Sequence, residues 1–156
     1  MFHDQMSRYY GFLSLEGESE AHRGRYADES KGYQKLNKYY MEHYGKLIQP
    51  ARSPDPKKIP ENWYRYKRDE VDVSTKRLAI QTGIEGWIAW EKDTKELYER
   101  SAKDLFDQGH LASYKFIMEY VKDVDEELAK AEEQRLWYQS TGYDMPFIMD
   151  LDLTKN

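Results

Sequence analysis

The sequence predicts an all-α protein, a four-helix bundle with a shortened first helix and a long crossover loop. Three observations carry this. Long stretches repeat apolar residues at spacings of three and four, the period of a helix face. Four of the five prolines (Pro50, Pro54, Pro56 and Pro60) crowd one segment, where missing amide donors block helix. Two carboxylates, Glu29 and Glu91, sit inside the apolar stripes of their helices. That placement is costly unless a metal, a cation or a hydrogen-bond donor meets them.

The first element is a short helix within residues 1–15, where Phe2, Met6, Tyr9 and Leu13 step by four, three and four. Gly11 and Gly17 are expected to make its end and the next start ragged. A long helix follows over 16–45. Its seam runs Tyr26, Glu29, Tyr33, Leu36, Tyr40 at heptad-like spacing, and Gly45 stops it. Residues 46–69 hold the prolines. A stretch this long without regular structure is uncommon inside a compact domain. A crossover joining two parallel helices along a bundle accounts for it.

The second long helix is expected over 70–108, with Ile80, Ile84, Trp87, Glu91, Tyr98 and Leu105 near one stripe. Asp107-Gln108-Gly109 forms a short turn. The third long helix covers 110–141, on Leu111, Tyr114, Ile117, Val121, Val124, Leu128 and Ala131, and Ser140-Thr141-Gly142 ends it. A short helix over 146–153 closes the chain. The whole is expected to form one domain, since 156 residues suit one.

Composition narrows the function. A net charge of −5 without a basic stripe argues against nucleic acid as a partner. The absence of cysteine removes disulfides, thiolate metal sites and cysteine nucleophiles. No apolar run reaches membrane-spanning length, and residues 1–30 lack a signal-peptide core. No membrane span is expected, and a soluble intracellular or organellar protein is. Neither a glycine-rich phosphate loop nor a Ser/His/Asp motif is present. His3, His22, His43 and His110 show no helical metal-ligand spacing, and His22 and His43 read as solvated. The acidic run from Asp123 to Glu127 reads as a wet helix face. The 14 tyrosines serve either as core residues or as interface residues, where aromatics are enriched.

Several segments, in consistent order, resemble the ferritin family. Lys35-Leu-Asn-Lys-Tyr-Tyr-Met-Glu-His-Tyr-Gly45 is similar to the end of the second ferritin helix, and the proline-bearing loop up to Trp63 to the long crossover. Trp90-Glu-Lys92 resembles the Glu-Lys pair of the third helix. Phe116-Ile-Met-Glu-Tyr-Val-Lys-Asp123 resembles the start of the fourth, Phe147-Ile-Met-Asp150 the short fifth, and Met6-Ser-Arg-Tyr-Tyr10 the aromatic end of the first. The likeness spans about residues 6–156. It implies a ferritin-like bundle, with iron as the cofactor to consider and either a shell or a larger assembly as the setting.

The ferroxidase ligands implied by that family are mostly replaced. The second-helix Glu-x-x-His motif falls on Glu29-Ser-Lys-Gly32, with glycine in the histidine position. The third-helix glutamate is Glu91, and the fourth-helix amide position falls on Val124 beside Asp123. The first-helix glutamate has no counterpart. Channel positions fall near Lys115 and Met118, and the nucleating cluster is diluted to Asp28, Lys31 and Gln34. Glu29, Glu91 and Asp123 are therefore the candidate metal ligands, enough for one loosely held cation but not for paired irons. No catalytic residue is expected. The alternatives for the seam glutamates are pairing with Tyr33 or Lys92, or a protonated carboxyl raised by burial.

Three long helices of 28–38 residues span about 42–57 Å, and residues 2–13 only about 18 Å. Each large apolar side chain left uncovered forgoes about 1.5–3 kcal/mol. Other protein chains are thus the expected partners. The chain reads as a structural subunit without ferroxidase chemistry, the alternative being a non-oxidising, light-chain-like iron-storage subunit of a ferritin shell.

Overall fold

The computed structural model describes residues 2–46 and 71–150, the side chains at 147, 149 and 150 excepted. Among the described residues every regular element is an α-helix. In order they are α1 (Phe2–Phe12), α2 (Glu16–Tyr44), α3 (Val73–Asp107), α4 (Leu111–Ser140) and α5 (Met145–Asp150). The expected all-α class is observed. From residue 47 onward the expected crossover lies outside the described residues, as does the end of the expected last helix. None of these helices is long and apolar enough to cross a membrane.

The chain divides into two compact units, Met1–Lys76 with Met145–Asn156, and Arg77–Asp144. In the first, α1 and α5 pack on α2. The α1 face buries Phe2, His3, Met6, Ser7, Tyr9 and Tyr10, and Leu13 and Leu15 are buried in the turn beyond it. Contacts pair His3 with His22 and Ser7 with Ser19, so the two helices run antiparallel.

The turn between them is not ragged. Ser14 takes a left-handed conformation at φ 58. Its amide donates to the Gly11 carbonyl at 3.1 Å, and the Leu15 amide donates to Tyr10 at 2.9 Å. This is the paired hydrogen-bond pattern that closes a helix, with its apolar contact positions filled by the buried Tyr10 and Leu15. Serine tolerates the strained φ because this turn is fixed from both sides by two helices.

The same closure recurs at two of the glycines that the sequence marks as stops. Gly109 (φ 76) sits where His110 donates to Leu105 at 2.9 Å, and Gly142 (φ 62) where Tyr143 donates to Tyr138 at 2.9 Å. A side chain at either φ would be strained. At the other end of α3, Asp72 Oδ1 accepts the Thr75 amide at 2.7 Å, which caps the helix and places its start at Val73 rather than 70.

The second unit is an antiparallel hairpin of α3 and α4. Arg135 meets Glu85 at 3.5 Å, Lys92 meets Glu132 at 3.7 Å and Lys95 meets Asp125 at 2.6 Å. Tyr98 packs beside Tyr120 at 5.6 Å and Phe106 against Tyr114 at 5.2 Å. Each advance along α3 is matched by a retreat along α4. Ile80, Ile84, Trp87 and Glu91 are buried on α3, and Val121, Val124, Ala131 and Tyr138 on α4. Leu111, expected in the α4 stripe, is exposed.

The expected seam of α2 is displaced. Its fully buried residues are Glu18, Ser19, Ala21 and His22. Beyond His22 no α2 residue is fully buried, and Tyr26 and Tyr33 are each 40% exposed.

Candidate functional site

A polar layer runs through the interior of the first unit. From Leu15 at the head of α2 it follows Glu18, His22, Arg25 and Glu29, stepping by three and four along one face. On α1 it follows His3, Met6 and Tyr10, and then Leu13 in the turn beyond, at the same period. Hydrophobic periodicity does not register such a face, because most of its members are ionisable.

His3 and His22 are buried, and their Nδ1 atoms lie 2.7 Å apart. The distance is that of a strong hydrogen bond, so one imidazole donates and the other accepts. The other nitrogen of His3, Nε2, lies 3.8 Å from Glu29 Oε1. The Phe2 ring packs edge-on to His3 at 5.3 Å and to His22 at 6.2 Å, and the Tyr10 ring lies 5.4 Å from His22. Burial, then His3 and Arg25, hold His22 well below its ordinary pKa. Burial, reinforced by Glu18 and Tyr9, holds the Tyr10 hydroxyl well above its ordinary value, with Arg25 pulling the other way. Each aromatic heteroatom group is thus kept in its neutral form.

Two serines latch the helices one turn further on. Ser7 Oγ donates to the Ser19 carbonyl at 2.9 Å, and Ser19 Oγ donates to the Ser7 carbonyl at 2.8 Å. Gly11 makes this approach feasible, since a Cβ there would lie 3.2 Å from Ser19 Oγ.

The candidate ligands fall differently. Glu29 belongs to the first unit and is about one-third exposed, beside His3. Glu91 belongs to the second unit and is buried. Its Oε1 accepts a hydrogen bond from Trp87 Nε1 at 3.0 Å, one helical turn earlier. Lys92, the local partner expected for Glu91, pairs instead with Glu132. The side chain of residue 92 leaves the helix about 100° away from that of residue 91, which turns it toward the α4 surface. Asp123 is exposed, and among the described residues it belongs to no cluster of three groups that could ligate one ion.

The expectation of a solvated His22 is overturned by its place between Phe2, His3 and Tyr10. His43 is exposed as expected. It stacks on Tyr39 at 3.9 Å, and Nδ1 lies 2.9 Å from the Tyr39 carbonyl. The signal that would have found the pair is the helical phase of His3 with Met6 and of His22 with Glu18 and Glu29.

Comparison with protein-family models, with curated proteins and with solved structures gave no match.

Proposed function

We propose that the chain is a structural subunit: a ferritin-like helical protein, degenerate at the ferroxidase positions, that docks onto other protein chains. One observation supports this above the rest. Along α2 beyond His22 no residue is fully buried, yet Tyr26, Tyr33, Met41 and Tyr44 line that stretch at 37–48% exposure. A helical stretch of this length is marginal on its own in water and draws its stability from packing. Aromatic and methionine side chains are the types enriched in the centres of protein interfaces.

The replaced ligands agree with this reading. Gly32 stands in the histidine position of the second-helix motif, and Val124 in the amide position of the fourth. Neither side chain can hold a metal. The ferroxidase set then keeps two glutamates, which is too few for chemistry at paired irons.

The experiment is light scattering on the purified chain, followed by capture of partners from its native source with the chain and with a Tyr26→Ser/Tyr33→Ser variant. The expected result is a stoichiometric complex with a different chain, lost in the double variant while its circular dichroism is unchanged. A cooperatively melting monomer, with capture equal for chain and variant, refutes the reading. A large hollow shell that accumulates ferric mineral replaces it with the storage reading.

A further inference from the structure

His3 presents both ring nitrogens to polar neighbours, Nδ1 to His22 at 2.7 Å and Nε2 to Glu29 at 3.8 Å. Two neutral imidazoles at the first distance share one proton. Either ring can be the donor, and His22 Nδ1 can serve as the acceptor. With the proton on His3 Nδ1, the lone pair of His3 lies on Nε2, facing the Glu29 carboxylate. Two electron-pair donors then face each other, an arrangement that a cation between them stabilises.

The separation suits one. A first-row divalent ion binds imidazole nitrogen and carboxylate oxygen at about 2.0–2.2 Å. Two such bonds bring their ligand atoms to about 3.3 Å at a tetrahedral angle and to nearly 4 Å when the angle opens. A direct N–H···O hydrogen bond would close to about 2.9 Å. Metal-ligating histidines almost always donate their other ring N–H to a neighbouring acceptor, which fixes the tautomer. His22 stands where that acceptor is needed. The donor set, one nitrogen and one oxygen without thiolate, selects Zn²⁺, Co²⁺ and similar borderline ions over Ca²⁺ or Mg²⁺.

We propose that His3 Nε2 and Glu29 Oε1 bind a single divalent transition-metal ion, with His22 holding His3 in the ligating tautomer. The ion would clip the start of α1 to the middle of α2. Since holding one cation requires no redox step, the inference stands apart from the docking reading and from ferroxidase activity.

The test is titration of the full, chelator-stripped chain with Zn²⁺ by calorimetry. Co²⁺ absorption and the ¹⁵N shifts of the imidazole rings provide parallel readouts. One ion per chain is expected, with the His3 Nε2 resonance moving on Zn²⁺ addition while His22 keeps a protonated Nε2. Glu29→Gln should weaken binding at least tenfold, and His22→Gln should weaken it about 10–100-fold. Asp28→Asn, an exposed neighbour paired with Lys31, should bind as the unmutated chain does. Glu29 is partly exposed, so Glu29→Gln is expected to keep its circular dichroism and remains decisive even where the histidine variants unfold. No uptake at millimolar Zn²⁺, uptake undiminished in Glu29→Gln, or an unmoved His3 resonance each overturns the proposal.

Discussion

His3 and His22 come from different helices, 19 positions apart in sequence, and their Nδ1 atoms meet at 2.7 Å inside the first unit. A buried imidazole pair of this kind joins α1 to α2 through a single proton. Its consequences for stability follow from what happens when a second proton arrives.

Acid should loosen the first unit. The folded-state pKa of His22 is depressed, by burial first and then by His3 and Arg25. The groups around it are His3 on α1 and Arg25 on α2, with Glu29 beyond His3. A depressed histidine pKa means that the unfolded chain takes up the proton first. The stability tied to neutral His22 is complete above about pH 6.5 and falls as pH drops toward the folded value, by about 1.4 kcal/mol per unit in that window. Helix melting followed by circular dichroism, with chelator present, should show a flat midpoint above pH 7 and a decline below 6.5. His22→Gln should flatten that decline. Equal midpoints at pH 5.5 and 7.5 would mean that His22 is not held neutral.

Glu91 serves as an acceptor for Trp87. Glu91→Gln keeps an oxygen in place and should cost less than about 1 kcal/mol, whereas Glu91→Leu removes the acceptor from a buried indole N–H and should cost about 1–3 kcal/mol. Urea denaturation of the two variants gives the difference. Trp87 fluorescence should shift in the leucine variant alone. Equal costs for both variants would show that Trp87 does not depend on this oxygen.

Much of the helical layout was legible because its signals are local. Gly109 and Gly142 end their helices where left-handed φ values are required, and three-and-four spacing found Ile80, Ile84 and Trp87. What escaped depends on partners distant in sequence. Tyr26 and Tyr33 share the phase of Glu29, yet beyond His22 no α2 residue is fully buried, and the two tyrosines are each left 40% exposed. Ser14 takes a conformation that sequence assigns to glycine, because Tyr10 and Leu15 fix the turn around it. The buried face of α2 consists of Glu18, Ser19, Ala21 and His22, a polar set whose periodicity hydrophobicity cannot display. For the candidate ligands, spacing located Glu29 and Glu91, but only the packing of α1 brought His3 to Glu29.

The register of α3 against α4 can be read by cross-linking, since the chain has no native cysteine. Lys95 and Asp125 face each other at 2.6 Å. A Lys95→Cys/Asp125→Cys variant should link rapidly with a short bis-maleimide. A Lys95→Cys/Glu132→Cys variant moves the second site by two helical turns, about 10 Å, and should link much more slowly. Comparable rates for both pairs would contradict an antiparallel hairpin in this register.

The approach of α1 to α2 rests on three small side chains, and a mutant cycle separates their parts. Ser19→Ala removes one of the two reciprocal hydroxyl bonds while Ser7 Oγ keeps its acceptor, the Ser19 carbonyl. The cost should be about 1 kcal/mol. Gly11→Ala should gain up to about 1 kcal/mol of helix propensity. In the unmutated chain, however, the new methyl would sit 3.2 Å from Ser19 Oγ, and that hydroxyl cannot retreat without giving up its bond to Ser7. Gly11→Ala alone is therefore expected to destabilise the first unit. In the Ser19→Ala background the oxygen is gone, the methyl meets only the Cβ of residue 19 at 3.9 Å, an ordinary contact, and the propensity gain should emerge as stabilisation. Thermal melts of the four proteins should give a coupling of about 1 kcal/mol with a change of sign, the signature of residues in direct contact. Additive effects would mean that the helices can shift apart freely at this point, and the serine latch would then contribute nothing to their spacing.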